Sequence, residues 1–217
     1  MINFVLMKKI IVFVSFLSLS FQGFGQQYLL DDFKTSIAVV KGGMLIQEKF
    51  NYNCVTQSME FLSEGDIMRL TPINQIDTLY LDTHKMIPYG TRFLDVVYRS
   101  SEFSLLVDYK RKIVNEGKVG ALGIKTQGTV QNIDLSAVGG QRREEWKNGV
   151  DVWEYKEESL YWLVRKNKMK KFNSLKTLQK ILPEKKSVIE AYVKEHNTNF
   201  FNQNEVLELL TFCLAKT

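Results

Sequence analysis

The chain has 217 residues, of which 45% are hydrophobic, 12% aromatic and 24% charged, and only three are proline. This composition excludes an intrinsically disordered protein, because it supplies enough apolar and aromatic side chains for a core. The formal net charge of +5 includes Lys8 and Lys9, and without them 27 basic side chains (29 less two) face 24 acidic ones. The chain is therefore not globally basic.

The first residues have the pattern of a secretory signal peptide. Lys8 and Lys9 precede an apolar run of 12 residues, Ile10 to Phe21, which is shorter than the about 20 residues that a membrane-spanning helix needs. Gly23 and Gly25 occupy the small-residue positions that signal peptidase prefers. We predict a signal peptide over residues 1–25, cleaved near Gly25, and a mature protein that is extracytoplasmic: periplasmic, surface-associated or secreted. No later apolar run reaches spanning length, so we expect no membrane-spanning segment.

Residues 26–172 have the pattern of an antiparallel β-rich domain. Short runs of branched and aromatic residues alternate with turn residues, as at Gly42-Gly43 and Glu64-Gly65. The spacing leaves no room for crossover helices, which predicts a β-meander, either a hairpin-rich sheet or a partial barrel. The longest predicted strand is FSLLVDYKRKIV, residues 103–114.

The tripeptide Asn51-Tyr52-Asn53 lies between two strand-like runs. Asparagine tolerates a left-handed backbone and closes local turns, so we interpret both asparagines as turn residues, with Tyr52 pointing inward. The alternative, a pair of amides presented to a ligand, has no neighbouring charge to support it.

A glycine-rich stretch near residues 115–149 contains seven of the thirteen glycines. We predict a long excursion or a pair of irregular hairpins, and it is the first choice for a binding loop. After it, residues 157–159 are predicted to form a turn between two strands. On the second strand Leu160, Trp162 and Val164 share one face, which we expect to belong to the core; exposed, the aromatic ring would instead stack on a sugar or a peptide.

Residues 173–217 have a helical pattern. Ser174 is placed to cap a first short helix that Pro183 ends, a second follows it, and Asn204 is placed to cap a third. The fold class is therefore α+β, an antiparallel β-meander followed by about three short helices that pack on the sheet or on a partner.

Two cysteines, Cys54 and Cys213, would close most of the mature chain into one loop if they paired. An oxidising compartment permits a disulfide, but cysteine also serves as a small buried apolar residue, and Cys213 lies on the apolar side of its predicted helix. Both alternatives stay open.

Five short motifs follow one another along the chain: NYN at residues 51–53, MEF at 59–61, INQIDTLYL from Ile73, ESLYWLVRKNK from Glu158, and LQKILPEKKSVIEAYVKEHNTNF from Leu178. In this order the chain resembles a broad group of exported proteins of unknown function from Gram-negative bacteria. The resemblance covers most of the mature chain. It implies export and this order of elements, and it supplies no catalytic or binding residues.

Enzyme signatures are missing from the sequence. There is no H-E-x-x-H, G-x-S-x-G, P-loop or C-x-x-C motif, and we predict no metal site and no cofactor. The acidic pairs, such as residues 157–158, are sequence neighbours that face opposite ways on a strand. Of the two histidines, His84 is expected in a solvated turn. Whether the protein is an enzyme is left open, with a noncatalytic role favoured.

A basic run provides a candidate binding surface besides the glycine-rich stretch. Between residues 165 and 180 there are seven positive side chains and no acidic one, and the candidate binding residues are Arg165, Lys166, Lys168, Lys170 and Lys171. A solvated, solubilising hairpin tip is the alternative interpretation. After export the available polyanions belong to the envelope, and nucleic acid is not an expected partner. We therefore favour a noncatalytic periplasmic or surface-associated module that binds an anionic envelope component or an envelope protein; the alternative is a hydrolase acting on an envelope or dietary polymer.

Overall fold

The structure, a computed structural model, describes residues 27–119, 125–126 and 150–214, with side chains described for residues 27–114 and 154–214. It confirms the α+β fold class: an antiparallel sheet of ten strands is followed by three helices. The predicted signal peptide, residues 1–25, and most of the glycine-rich stretch lie outside the described residues.

In the described parts of the chain, thirteen strands precede the helices. They are β1 Lys34–Val40, β2 Leu45–Asn53, β3 Ser58–Ser63, β4 Asp66–Arg69, β5 Ile76–Leu81, β6 His84–Tyr89, β7 Arg92–Arg99, β8 Ser104–Asp108, β9 Arg111–Val119, β10 Lys125–Thr126, β11 Val150–Glu157, β12 Leu160–Arg165 and β13 Lys168–Phe172. The helices are α1 Leu175–Ile181, α2 Lys186–His196 and α3 Gln203–Leu214.

The ten-stranded sheet has the order β13-β12-β8-β7-β6-β5-β1-β2-β3-β4 and is open, with β4 and β13 at its edges. Tight turns join most neighbours, as predicted for Gly42-Gly43 and Glu64-Gly65, where positive φ angles suit glycine. The sheet curls strongly enough for β3 to contact β7. Among the described strands the sequential order is interrupted twice: β5 follows β4 in the chain but pairs with β1, and β12 pairs with β8 although β9, β10 and β11 lie between them in the sequence.

The described strands β9 and β11 continue the pairing of β8 with β12 beyond the sheet, as one long antiparallel ribbon. Leu160 lies opposite Asp108, and three residues further along each strand Glu157 lies opposite Arg111. Because the register does not change, β8 and β9 together face β12 and β11, and the backbone N–H of Glu158 donates to Lys110 O at 2.8 Å across the junction.

Two predictions about this region need correction. Residues 157–159 do not form a hairpin turn: β11 and β12 follow one another along the ribbon and pair with β9 and β8. The predicted long strand over residues 103–114 is divided at Tyr109 and Lys110 into β8 and β9. In addition, β9 continues to Val119, so regular structure extends into the glycine-rich stretch near residues 115–149, which we predict to be a long excursion or a pair of irregular hairpins.

Two hydrophobic cores share the sheet. The strand-side core lies inside the curl; its buried members are Ala38, Phe50, Tyr52, Cys54, Met59, Leu70, Ile76, Leu79, Leu81, Met86 and Phe93. The helix-side core lies between the sheet and the helices; its buried members are Phe103, Leu105, Val107, Tyr161, Leu163, Phe172, Leu178, Leu182, Ile189, Val206, Leu209, Leu210, Cys213 and Leu214. Tyr109 is packed against both cores.

The helices begin and end largely where the sequence predicts. Ser174 caps α1 in a capping box with Thr177, and α1 ends before Pro183. The third helix is different: α3 begins at Gln203, and the side-chain oxygen of Asn202 accepts from the backbone N–H groups of Asn204 and Glu205 at 3.1 and 3.5 Å. Asn202, and not Asn204, is therefore the cap.

Asn51 is not a turn residue. It lies within β2 and is buried, and its side-chain amide exchanges hydrogen bonds with Leu30 N (3.1 Å), Leu30 O (2.8 Å) and Asp32 O (3.2 Å). Asn53 does close the following turn, by accepting from the N–H groups of Val55 and Thr56 at 3.1 Å. Asn51 thus binds the segment before β1 to the sheet.

Cys54 and Cys213 are both buried free thiols. They belong to different cores, Cys54 to the strand-side core and Cys213 to the helix-side core. The disulfide is therefore not formed in the structure, and each cysteine has the alternative role of a small apolar core residue. Burial raises the pKa of the Cys54 thiol to about 12.

We predict that both thiols are inert in the folded protein. Without reductant, a thiol reagent should modify neither cysteine in the native state, because both are buried, and should modify two per chain after unfolding in urea. Absence of reactive thiols in the unfolded, unreduced protein would show that a disulfide forms.

We also predict that Asn51→Ala lowers the free energy of unfolding by roughly 2–3 kcal/mol, because it leaves several backbone groups without a partner. Urea unfolding measures the change. Asn173→Ala, at an exposed asparagine, is the matched control and should change stability by less than about 0.5 kcal/mol. Equal effects of the two substitutions would contradict the role of Asn51.

Candidate functional site

The basic run folds into the β12–β13 hairpin and the start of the helical layer. Its turn is Lys166-Asn167, where both residues have positive φ angles of 49° and 58°. A two-residue turn of this kind matches the twist of the flanking strands, and the sequence supplies asparagine at one of the two positions. The hairpin forms one edge of the sheet, and the first helix packs beside it.

A cleft of about 170 Å³ opens between this hairpin and the end of α1. Its apolar surface comes from Leu163 of β12 and from Ile181 and Leu182. Its polar lining comes from Arg165, Lys166, Lys168, Lys170 and Glu184. Four of the five candidate binding residues are therefore gathered around one concavity, which we name the basic cleft.

Lys171 lies on the other side of the sheet. Lys170 is opposite Leu163 and Lys171 is opposite Trp162, and neighbouring residues on a strand face opposite ways. Only the face that carries Leu163 and Lys170 is covered by the helices, because Leu163 belongs to the helix-side core. The fifth candidate residue is therefore separated from the basic cleft.

The charges in the basic cleft do not cancel. Arg165 Nη1 forms an ion pair with Glu184 Oε1 at 2.8 Å, and Glu184 is the single acidic residue of the lining. A backbone hydrogen bond and the Arg165 guanidinium hold the pKa of Glu184 below its ordinary value. Three lysines remain beyond this pair, so the cleft has a net positive charge.

Lysine on an edge strand also has a structural use. β13 is a sheet edge, and charged side chains there discourage pairing with another chain. This use explains why Lys168, Lys170 and Lys171 are tolerated on one short strand. It does not explain the apolar concavity between Lys168, Lys170 and α1.

The prediction that Leu160, Trp162 and Val164 form the core face of β12 is wrong. Tyr161 and Leu163 enter the helix-side core, while Leu160, Trp162 and Val164 lie on the opposite, half-buried face. The reason is tertiary, since both faces of β12 are apolar and the helices cover only one of them.

On this second face the ring of Trp162 lies 5.2 Å from that of Tyr89, and the Arg92 guanidinium carbon lies 5.7 Å from the Tyr89 ring centroid. Arg92 pairs with the buried Asp108 at 2.8 Å. Among the described residues, Trp162 Nε1 and Arg92 Nε are buried without a hydrogen-bond partner.

His84 is not in a solvated turn. It is the first residue of β6, and its Nδ1 lies 2.6 Å from Oδ2 of Asp95, a carboxylate that is 3% exposed. Asp95 also accepts from Lys85 N at 3.1 Å, and the Tyr109 hydroxyl lies 3.0 Å from Asp95 Oδ2 and from Gln203 Oε1. The signal that sequence reasoning missed is Asp95 itself, an acidic residue in the middle of the apolar strand RFLDVVYR.

The acidic neighbours Glu157 and Glu158 each have their own basic partner. Glu157 Oε2 accepts from Arg111 Nε at 3.1 Å, and Glu158 Oε2 pairs with Lys110 Nζ at 2.7 Å. They therefore do not form an acid and base couple. Within the described parts of the chain, no group of three or more histidine, cysteine, aspartate or glutamate side chains is arranged to hold a metal ion.

No protein family model matches the chain, and no curated protein or solved structure shows significant similarity to it. Among the helices that the structure describes, none is both long and apolar enough to cross a membrane.

We predict that His84 makes stability depend on pH. Its hydrogen bond to Asp95 raises the histidine pKa above 6.5, so the stabilisation is complete below pH 6.5 and is lost as the pH rises through the higher folded-state pKa. His84→Gln should flatten this fall in unfolding free energy, measured by urea unfolding over a pH series that starts below 6.5. A variant with the same pH profile as the wild type would show that the pair does not contribute.

Proposed function

We propose that the protein is an exported, noncatalytic binding component of the cell envelope, which takes an anionic envelope component in the basic cleft. Export is supported by the Lys8-Lys9 pair, the apolar run after it and the glycines before Gln26. A noncatalytic role is supported by the pairing of Glu157 and Glu158 with separate basic side chains.

The observation that carries the proposal is the combination of charge and apolar surface in the cleft. Arg165, Lys166, Lys168 and Lys170 surround it, and Leu163, Ile181 and Leu182 line it. Cations of this kind bind phosphate or carboxylate groups, and an apolar lining binds hydrocarbon. An amphipathic anion satisfies both, whereas a purely polar anion would leave the apolar surface in water.

Anionic lipids and lipopolysaccharide have this chemistry in the envelope, since both join anionic headgroups to acyl chains. An envelope protein that presents an acidic group beside an apolar side chain is the alternative partner. Among the described residues, no arrangement of side chains favours the hydrolase alternative over binding.

The test is a matched pair of charge reversals at adjacent residues of β13. Lys170→Glu changes the cleft, and Lys171→Glu makes the same change in net charge on the opposite face. Binding is measured by sedimentation with vesicles that contain phosphatidylglycerol and, separately, with purified lipopolysaccharide. We expect Lys170→Glu to weaken binding by about tenfold and Lys171→Glu by less than about threefold.

Equal losses for the two variants would show that binding follows net charge and does not use the cleft. No binding of the wild-type protein to either preparation would overturn the proposal. Binding to only one of them would identify the source of the anion.

A further inference from the structure

A second cleft, of about 160 Å³, opens at the other end of β12. The basic cleft adjoins Arg165 at the end of this strand, whereas the second cleft adjoins Ser159 and Tyr161 at its beginning. It lies where the ribbon leaves the ten-stranded sheet, below the linker between α2 and α3. We name it the aromatic cleft.

Four aromatic side chains line the aromatic cleft. Tyr109 and Tyr161 come from the sheet, and Phe200 and Phe201 come from the linker. Tyr161 is buried in the helix-side core, and Tyr109 and Phe200 pack against that core. The rings of these three residues are therefore fixed in position. Phe201 is the exception, with 74% of its surface exposed to solvent.

The linker holds Phe201 in this position. Its backbone N–H donates to Asn199 Oδ1 at 2.9 Å, and Glu205 accepts from Asn199 N and from Asn202 Nδ2, each at 2.7 Å. A single exposed phenylalanine is common on protein surfaces. One held by a hydrogen-bonded linker at the rim of an aromatic concavity is suited to contact a ligand.

The polar part of the cleft is also organised in advance. Arg111 donates to Glu157 Oε2 at 3.1 Å and to Tyr28 O at 2.8 Å. Ser159 donates to Glu157 Oε1 and accepts from Lys110 N at 2.9 Å. Both oxygens of Glu157 are therefore oriented, while its side chain is still 38% exposed.

The charge balance of the aromatic cleft restricts its ligand. Arg111 and Glu157 cancel, so the cleft does not select an anion as the basic cleft does. A purely apolar molecule would remove water from the arginine, the glutamate and the serine without replacing their hydrogen bonds. The ligand must therefore be neutral, with polar groups that both donate and accept and with an apolar face that stacks on aromatic rings.

A sugar ring has these properties, since its hydroxyl groups donate and accept and its C–H faces pack on aromatic side chains. We propose that the aromatic cleft is a binding site for a neutral sugar residue of an oligosaccharide. Phe201 stacks on the ring from the rim, and Arg111, Glu157 and Ser159 contact its hydroxyls. This site is separate from the basic cleft and does not depend on the function proposed for it.

The test compares two exposed phenylalanines of the helical segment. Phe201→Ala removes the rim of the aromatic cleft, and Phe212→Ala, at a residue that is 59% exposed and contacts Tyr192, is the control outside it. The probes are maltotetraose, cellotetraose and chitotetraose, with binding to the full chain followed by saturation-transfer NMR and titration calorimetry. A capped neutral tetrapeptide that contains tyrosine is the competing probe.

We expect at least one of the three oligosaccharides to bind, with Phe201→Ala weakening it by about tenfold, or 1.4 kcal/mol, and Phe212→Ala leaving it unchanged. Ser159→Ala should also weaken it, which tests the polar side of the same cleft. The proposal is overturned if none of the oligosaccharides binds, if Phe201→Ala binds like the wild type, or if only the peptide binds.

Discussion

The pairing of β12 with β8 is the constraint on which both clefts depend. These strands are brought together by a ribbon whose register is unchanged from Asp108 and Leu160 to Arg111 and Glu157. The pairing adds β12 and β13 to the edge of a meander that would otherwise end at β8. It also starts the helical segment next to that edge, so that α1, α2 and α3 cover the face with Tyr161 and Leu163. The basic and aromatic clefts both open beside this cover, at opposite ends of β12.

The junction between the two cores is polar, although the surroundings are not. Asp95 is buried there, and its oxygens bind His84, the backbone of Lys85 and Tyr109, while Tyr109 also reaches Gln203 at the start of α3. A buried carboxylate is tolerated only when its oxygens have such partners. The cluster therefore links the strand-side core, the helix-side core and the last helix, and Tyr109 takes part in both this junction and the aromatic cleft.

Charge is distributed differently at the two ends of β12. At the hairpin end three lysines exceed the Arg165–Glu184 pair, whereas at the ribbon end Arg111 and Glu157 compensate each other. The first arrangement favours an anion and the second a neutral polar ligand, although both are built on the same strand and beside the same helices. A component with both an anionic group and sugar residues has the chemistry of both clefts.

The sequence by itself determined the class of the fold and most of its turns and helix ends. The short spacing of strand-like runs required hairpins, Gly42-Gly43 and Glu64-Gly65 specified turns, and Ser174 and Pro183 bounded the first helix, because each of these signals acts within a few residues. It also identified the basic run from which four residues of the basic cleft come. What required the tertiary structure was which face of β12 is covered, that Lys171 is separated from Lys170, and that Asn51 and Asp95 are buried among polar partners.

Those features depend on contacts between residues far apart in the chain, such as Asn51 with Leu30, and Tyr109 with Gln203. Period-two alternation shows that a strand has two faces, but both faces of β12 carry apolar residues, so local pattern could not decide between them. The aromatic cleft was likewise beyond local reading, since its residues come from the sheet, the ribbon and the α2–α3 linker. Only the folded arrangement of these elements determines which side chains surround a common space.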